Sequence, residues 1–123
     1  MLFEAAAEYK CKKVALGHHL DDIAQTILLN LFFNGEISAM SPKQKLFNGA
    51  LTIIRPLAYV QEKEISCFSK QEKLPLSRYN CSNSLTSHRA KIGGIIRDLE
   101  KTCPNVKTNI FRSLKRIRKD YLV

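Results

Sequence analysis

A short apolar run, Val14-Ala15-Leu16, stops at Gly17, and beyond it Leu20, Ile23, Ala24, Ile27, Leu28, Leu31 and Phe32 recur at three- and four-residue steps. The first pattern is that of a brief strand, the second that of an amphipathic helix with one apolar face. The join between them is a strand-to-helix turn. A chain built this way is committed to an α/β arrangement, in which ligands gather at the carboxyl ends of the strands. The turn itself reads Gly17-His18-His19-Leu20-Asp21-Asp22, so two imidazoles and two carboxylates fall where such a sheet brings its ligands.

Those residues admit two readings. Asp21 and Asp22 can serve as first-turn carboxylates that accept unpaired N–H groups and complement the helix dipole, for about 0.3–1 kcal/mol each. His18 and His19 can be plain turn residues. Taken together, an aspartate pair beside neutral imidazoles can also hold Mg²⁺ through carboxylate oxygens and orient a phosphate-bearing substrate.

The rest of the chain supplies a scaffold. Periodicity predicts a helix over Leu2 to Cys11, a strand over Lys13 to Leu16 and a helix over Leu20 to Phe33. Ser41 to Leu57 reads as two strands about Asn48-Gly49, a strong hairpin signal. A helix follows from Glu62 to Lys73, closed by Pro75. Ser77 to Ser87 is a polar loop, and Leu85 to Lys101 a helix weakened by Gly93-Gly94, at about 1 kcal/mol per glycine relative to alanine. Cys103-Pro104-Asn105 separates it from a final helix.

Charge is unevenly distributed. Residues 1–77 hold nine Lys/Arg against eight Asp/Glu, whereas residues 78–123 hold eleven against three, so most of the net charge of +9 lies in the last third. We therefore divide the chain into a unit over residues 1–77 and a basic segment of loop and helices over residues 78–123. In the final helix Ile110, Phe111, Leu114 and Ile117 form an apolar stripe, with Arg112, Lys115, Arg116, Arg118 and Lys119 opposite. Such a face suits a polyanion, with Arg112, Lys115, Arg116 and Lys119 as candidate RNA contacts, or it is a solvated surface without a partner. Its short stripe without Trp disfavours a membrane surface.

With 123 residues, 45% of them hydrophobic, the chain suffices for one modest core. No run approaches a membrane span, and Met1-Leu2-Phe3-Glu4 lacks the pattern of a signal sequence, so a cytoplasmic protein is expected. Cys11, Cys67, Cys81 and Cys103 contain no close pair, which argues against a zinc knuckle or a disulfide framework. Cys11 and Cys67 fall in helical patterns and are expected to be small buried apolar residues.

The stretch from Val14 to Pro56 resembles the second half of a PP-loop ATP pyrophosphatase domain, a Rossmann-like α/β fold. It is most similar to the tRNA 2-thiocytidine biosynthesis family through Ala15-Leu16-Gly17-His18-His19-Leu20-Asp21-Asp22-Ile23, Gly35, Ala39-Met40, Pro42-Lys43, Ile54-Arg55-Pro56-Leu57-Ala58-Tyr59-Val60 and Glu62-Lys63. The first block is shared with tRNA-lysidine synthetases; the later segments narrow the match to the thiolation branch. The resemblance extends over roughly residues 1–103 and implies a C-terminal portion, since the family's SGGKDS phosphate loop and central Cys-x-x-Cys pair have no counterpart here. An incomplete parallel sheet would expose an edge and an apolar face, open to an N-terminal partner chain or a homodimer.

The resemblance implies an enzyme that uses ATP and Mg²⁺ to adenylate a tRNA cytidine, which a sulfur donor such as a cysteine desulfurase then converts to 2-thiocytidine. Asp21 and Asp22 would hold Mg²⁺ and orient the reactants, His18 and His19 would lie near the phosphates, Arg55 would shape the site, and Lys43 would contact RNA or phosphate. Cys81 occupies the loop where the family carries a Cys-x-x-Cys, with Arg78 in place of the first cysteine. It is either a partner-completed ligand of a [4Fe–4S] cluster, which usually needs three or four protein ligands, or an ordinary loop cysteine. Two other readings remain: an inactive truncated or split-gene remnant with at most RNA-binding activity, and a fragment of a lysidine-synthetase-like ligase.

Overall fold

A computed structural model describes residues 1–75 and 88–123. The elements run α1 (Leu2–Glu8), β1 (Lys13–Ala15), α2 (Leu20–Leu29), β2 (Lys43–Leu46), β3 (Leu51–Ile54), α3 (Glu62–Gln71), α4 (His88–Glu100) and α5 (Val106–Ser113). The three strands make one mixed sheet in the order β1-β3-β2, with β1 parallel to β3 (Val14 opposite Ile53) and β2 antiparallel to it (Leu46 opposite Leu51). This is the α/β arrangement expected, and β1 stands at one edge of the sheet.

The hairpin forms about Asn48-Gly49. Phe47, Asn48 and Gly49 all have positive φ, at 51°, 53° and 90°, and Gly49 reaches the largest value at no Cβ cost. Phe47 is held there edge-on to the Phe3 ring, 6.0 Å between centroids, which ties α1 to the hairpin. On β3 the alternation is that of a one-sided sheet: Leu51 and Ile53 are buried, Thr52 and Ile54 half-buried.

Helix α2 is the centre of the molecule. Ile23 and Ala24 are fully buried on adjoining faces. Ile23, Ile27 and Ala58 form one cluster, against which Met40, Ile110, Phe111 and Leu114 pack. Ala24, Ile92, Ile96 and Val106 form a second cluster, so α4 and α5 share a core with α2. Gly93 lies where α4 meets α2: a Cβ there would stand in ordinary contact, 3.4 Å from Arg97 Nη1 and 3.5 Å from Gln25 Nε2, so the packing accepts glycine without requiring it.

Several sequence expectations are corrected. Helix α1 ends at Glu8 rather than Cys11, because Lys10 turns out of the helix at φ 53°. Cys11 is consequently exposed rather than buried, and Cys67 is exposed too, since Ser69 is the one residue that α3 buries. The α-helical bonding of α2 stops at Leu29 and widens into a π turn over Asn30–Asn34, closed by Gly35 at φ 63°. That widening leaves Leu31 and Phe32 outside, 45% and 59% exposed, where the periodicity had placed them on the apolar face.

The final helix is shorter than expected as well. Helix α5 ends at Ser113, whose Oγ donates to the Ile110 carbonyl at 2.6 Å, and only a 3-10 turn over Lys119–Tyr121 follows. Arg112, Lys115, Arg116, Arg118 and Lys119 would otherwise stack like charges at three- and four-residue spacing, which is unfavourable in a helix. Ile117 is 49% exposed and leaves the stripe. The expected loop from Ser77 to Ser87 and the first residues of the expected Leu85 helix lie outside the described residues.

Candidate functional site

The site is built where β1 hands over to α2. His19 caps α2 in an extended conformation, and its N–H donates to Asp22 Oδ2 at 3.1 Å. The Leu20 N–H donates to the Val60 carbonyl at 2.9 Å, which fastens the turn after β3 against the start of α2. These two bonds satisfy backbone donors that a helix leaves unpaired at its first turn.

Asp21 does not face solvent. It is 6% exposed, with Oδ2 accepting the Glu62 N–H at 2.8 Å and Oδ1 paired to the Lys107 ammonium, itself 9% exposed. Lys107 also reaches Glu100 Oε1 at 3.0 Å. Burial pushes the Asp21 carboxyl up, but the Lys107 ammonium, the Glu62 N–H and the nearby His19 outweigh it and hold the group below its ordinary 3.8. Burial likewise opposes the Lys107 charge, and the two carboxylates overcome it, so that group stays protonated beyond its ordinary 10.5.

Asp22 is held more loosely. Its Oδ1 accepts from Arg89 Nη1 at 3.2 Å, a bond that ties α4 to α2, and the Arg89 side chain is 44% exposed. His19 packs between the two aspartates, Nε2 lying 3.4 Å from Asp22 Oδ2 and Nδ1 3.8 Å from Asp21 Oδ2. A polar cavity of about 250 Å³ opens beside Asp21, lined by Gln25, Lys63, Ser66 and Arg97 among others.

Arg55, 7% exposed, joins the same region from the residue after β3. Its Nη1 donates to the Ser41 carbonyl and its Nε donates to His18 Nδ1 at 3.3 Å. Because a guanidinium can only donate, His18 Nδ1 must accept, and the imidazole proton resides on Nε2. Arg55 thus fixes the His18 tautomer and pins the loop before β2.

The structure therefore brings His18, His19, Asp21, Asp22 and Arg55 together. Lys43 is exposed at the first residue of β2, opposite Ile54 and so beside the strand end that carries Arg55, while Arg112, Lys115, Arg116 and Lys119 are spread over the end of α5 and the turns beyond it, all exposed. Cys81 lies outside the described residues. Sequence reasoning missed Lys107, Glu100 and Arg89, and only the isolated Lys107 between apolar Val106 and the Ile110 stripe hinted at a buried cation.

As held here, the aspartates do not fit a Mg²⁺ site. Both Asp21 oxygens already accept, from the Lys107 ammonium and the Glu62 N–H, so only Asp22 could exchange a partner, and among the described residues no group of three or more His, Cys, Asp or Glu side chains could hold a metal ion. Nor do three cysteines gather among the described residues, as the protein ligands of a [4Fe–4S] cluster usually would. Among the described residues no helix is long and apolar enough to cross a membrane.

Comparison with known proteins converges on one family. The chain is 40% identical over 124 residues to the tRNA-cytidine(32) 2-sulfurtransferase of Paracidovorax citrulli, covering 100% of this chain and 40% of the relative. It is 39% identical over 125 residues to the protein of the same name from Geobacter sulfurreducens, covering 100% of this chain and 49% of that one. The chain thus spans less than half the length of these two relatives. Among solved structures it is similar to the U34-tRNA thiolase NcsA from Methanococcus maripaludis with its [4Fe-4S] cluster, at a TM-score of 0.74 and 28% identity over 92% of this chain and 38% of that one. Residues 1–99 match the family model described as the PP-loop domain, and with the strand, turn and buried helix that carry its histidines and aspartates, the chain belongs to the PP-loop domain family.

Proposed function

We propose that the chain is part of an ATP-dependent tRNA-modifying enzyme that activates a cytidine for 2-thiolation. The observation that carries this reading is the 40% identity, sustained across the whole chain, to sulfurtransferases named for a tRNA cytidine. The chemistry is that of leaving groups. An oxygen on a pyrimidine ring departs poorly; if the cytidine C2 oxygen attacks the α-phosphorus of ATP, pyrophosphate leaves and C2 carries an adenylate. A sulfur nucleophile then adds at C2 and AMP departs with the oxygen.

In this scheme His18, locked by Arg55, offers its Nε2–H to a phosphate oxygen. Asp22 is the carboxylate open to substrate, because a partly exposed pair such as Asp22–Arg89 is worth about 0–1 kcal/mol and exchanges readily. Asp21 acts as a positioning residue that fixes the first turn of α2. The sequence holds no SGGKDS loop, so the phosphate cradle comes from a segment or chain outside this one.

The test combines this chain with an N-terminal PP-loop fragment of a complete relative, ATP, a sulfide donor and tRNA. The expected product is 2-thiocytidine, detected in nucleoside digests by mass spectrometry and lost with Asp22→Asn. Lysidine in place of a thiolated base would favour the ligase reading. Absence of any modified nucleoside from a properly associated complex would favour the inactive remnant, a reading that the missing phosphate loop keeps open.

A further inference from the structure

A second concavity adjoins the start of α2 at Leu20. It has a volume of about 420 Å³ and is lined by Leu20, Tyr59, Thr108, Phe111, Arg112 and Lys115. Three features distinguish it. Its floor is aromatic: Tyr59 and Phe111 meet edge to face, 5.3 Å between centroids at 77°, and Tyr59 is nonetheless 61% exposed. Its rim is cationic without compensation, for Arg112 and Lys115 line it, no carboxylate does, and among the described residues neither cation has an acidic partner. The cavity at Asp21 is different, since Lys107 there faces Asp21 and Glu100.

The third feature is rigidity. Tyr59 sits in a turn closed by Ala58 N–H to the Arg55 carbonyl at 3.1 Å and Val60 N–H to the Leu57 carbonyl at 2.9 Å, and the same turn accepts the Leu20 N–H. Phe111 is anchored beneath it against the Ile23, Ile27 and Ala58 cluster. An exposed ring held this firmly, beside unpaired cations, is a stacking platform with a phosphate anchor.

We infer that this cleft binds an unpaired nucleotide of single-stranded RNA, its base stacked on Tyr59 and its phosphates met by Arg112 and Lys115. A volume of this size lies within the ~300–1,000 Å³ of small-ligand sites. A base-paired nucleotide cannot present its face to the ring, so the cleft selects loops and ends over duplex. The inference rests on the tRNA reading above and deepens it: the cleft shares Leu20 with the helix turn that carries Asp21 and Asp22, and a base stacked there lies next to the site.

The test is titration of the 123-residue chain with a short single-stranded oligoribonucleotide carrying 2-aminopurine, and with a blunt duplex of the same sequence. Wild type is expected to prefer the single strand and to quench the 2-aminopurine on binding. Tyr59→Leu keeps apolar cover on Phe111 but removes the stacking face; it should abolish the quench and weaken single-strand binding roughly tenfold, leaving duplex binding unchanged. Tyr59→Phe should behave as wild type. Arg112→Gln and Lys115→Gln should each flatten the log–log salt dependence by about 0.7. Unchanged single-strand affinity and quench in Tyr59→Leu, or equal loss on single strand and duplex, overturns the cleft while the tRNA reading stands. Failure of wild type to bind either RNA overturns both.

Discussion

Lys107→Met keeps most of the side chain's apolar stem and deletes its ammonium, which isolates a buried charge. Asp21 is left 6% exposed with one remaining donor, the Glu62 N–H at 2.8 Å, and Glu100 loses its partner at 3.0 Å. Two unit charges about 4 Å apart interact by about 4 kcal/mol at an effective dielectric of 20, and removal of one member of a buried pair typically costs about 3–5 kcal/mol. Against a total stability of about 5–15 kcal/mol for a domain, that is a third or more. Urea unfolding at pH 7, followed by circular dichroism, should show the midpoint falling with the slope unchanged. The Asp21→Asn, Lys107→Met double variant should cost well under the sum of the two single changes, because each single change strands what the other relieves. A loss below about 1 kcal/mol in Lys107→Met, or strict additivity, would refute the claim that this pair is a buried structural element.

Three further outcomes follow from other parts of the molecule. Asp21 titrates below its ordinary 3.8, so its contribution to stability is present above that value and lost as pH falls through the folded pKa; Lys107 titrates above 10.5, so its contribution is present below that value and lost as pH rises beyond it. The difference in stability between wild type and the double variant should accordingly be flat from about pH 5 to 9 and shrink only outside that range, and a change centred near neutrality would disprove it. Ile23→Ala, at a fully buried position in α2, should cost about 2–5 kcal/mol by the same unfolding assay, and a loss under about 1 kcal/mol would mean the two clusters do not pack as described. Isothermal calorimetry of the purified chain should detect weak or no ATP binding, since the sequence has no phosphate-cradling loop; micromolar affinity would show that His18 and Arg55 suffice.

The elements governed by local chemistry were legible in the sequence. The strand, Gly17 and the helix after it, and the hairpin at Asn48-Gly49, follow from period and from turn preference. The gathering of His18, His19, Asp21 and Asp22 follows from those elements. Arg55 could be placed near the site only through the family resemblance, since its bond to His18 joins the segments after β1 and β3, which are far apart in the sequence. What the sequence hid was non-local or self-cancelling. Lys107 read as one basic residue among many; its apolar neighbours hint at burial, but no pattern announces that its partner is a carboxylate 86 residues earlier. The stripe through Ile117 was counted as helix because period weighs apolar residues and ignores repulsion among the cations between them. Leu31 and Phe32 keep the helical period, but Asn30, whose side chain bonds the Ser38 carbonyl at 3.2 Å, diverts the chain into the π turn.

The shape of the Asp21–Lys107 contact also sets an order of events. A ribosome delivers the first turn of α2 long before it delivers α5, at about 5–20 residues per second. Until then Asp21 has no ammonium to meet and Ala24 has no Val106 to pack on. The start of α2 therefore reaches its final geometry only when α5 has emerged and packed against it. A stalled or shortened nascent chain would carry every histidine and aspartate of the turn and still not have assembled it.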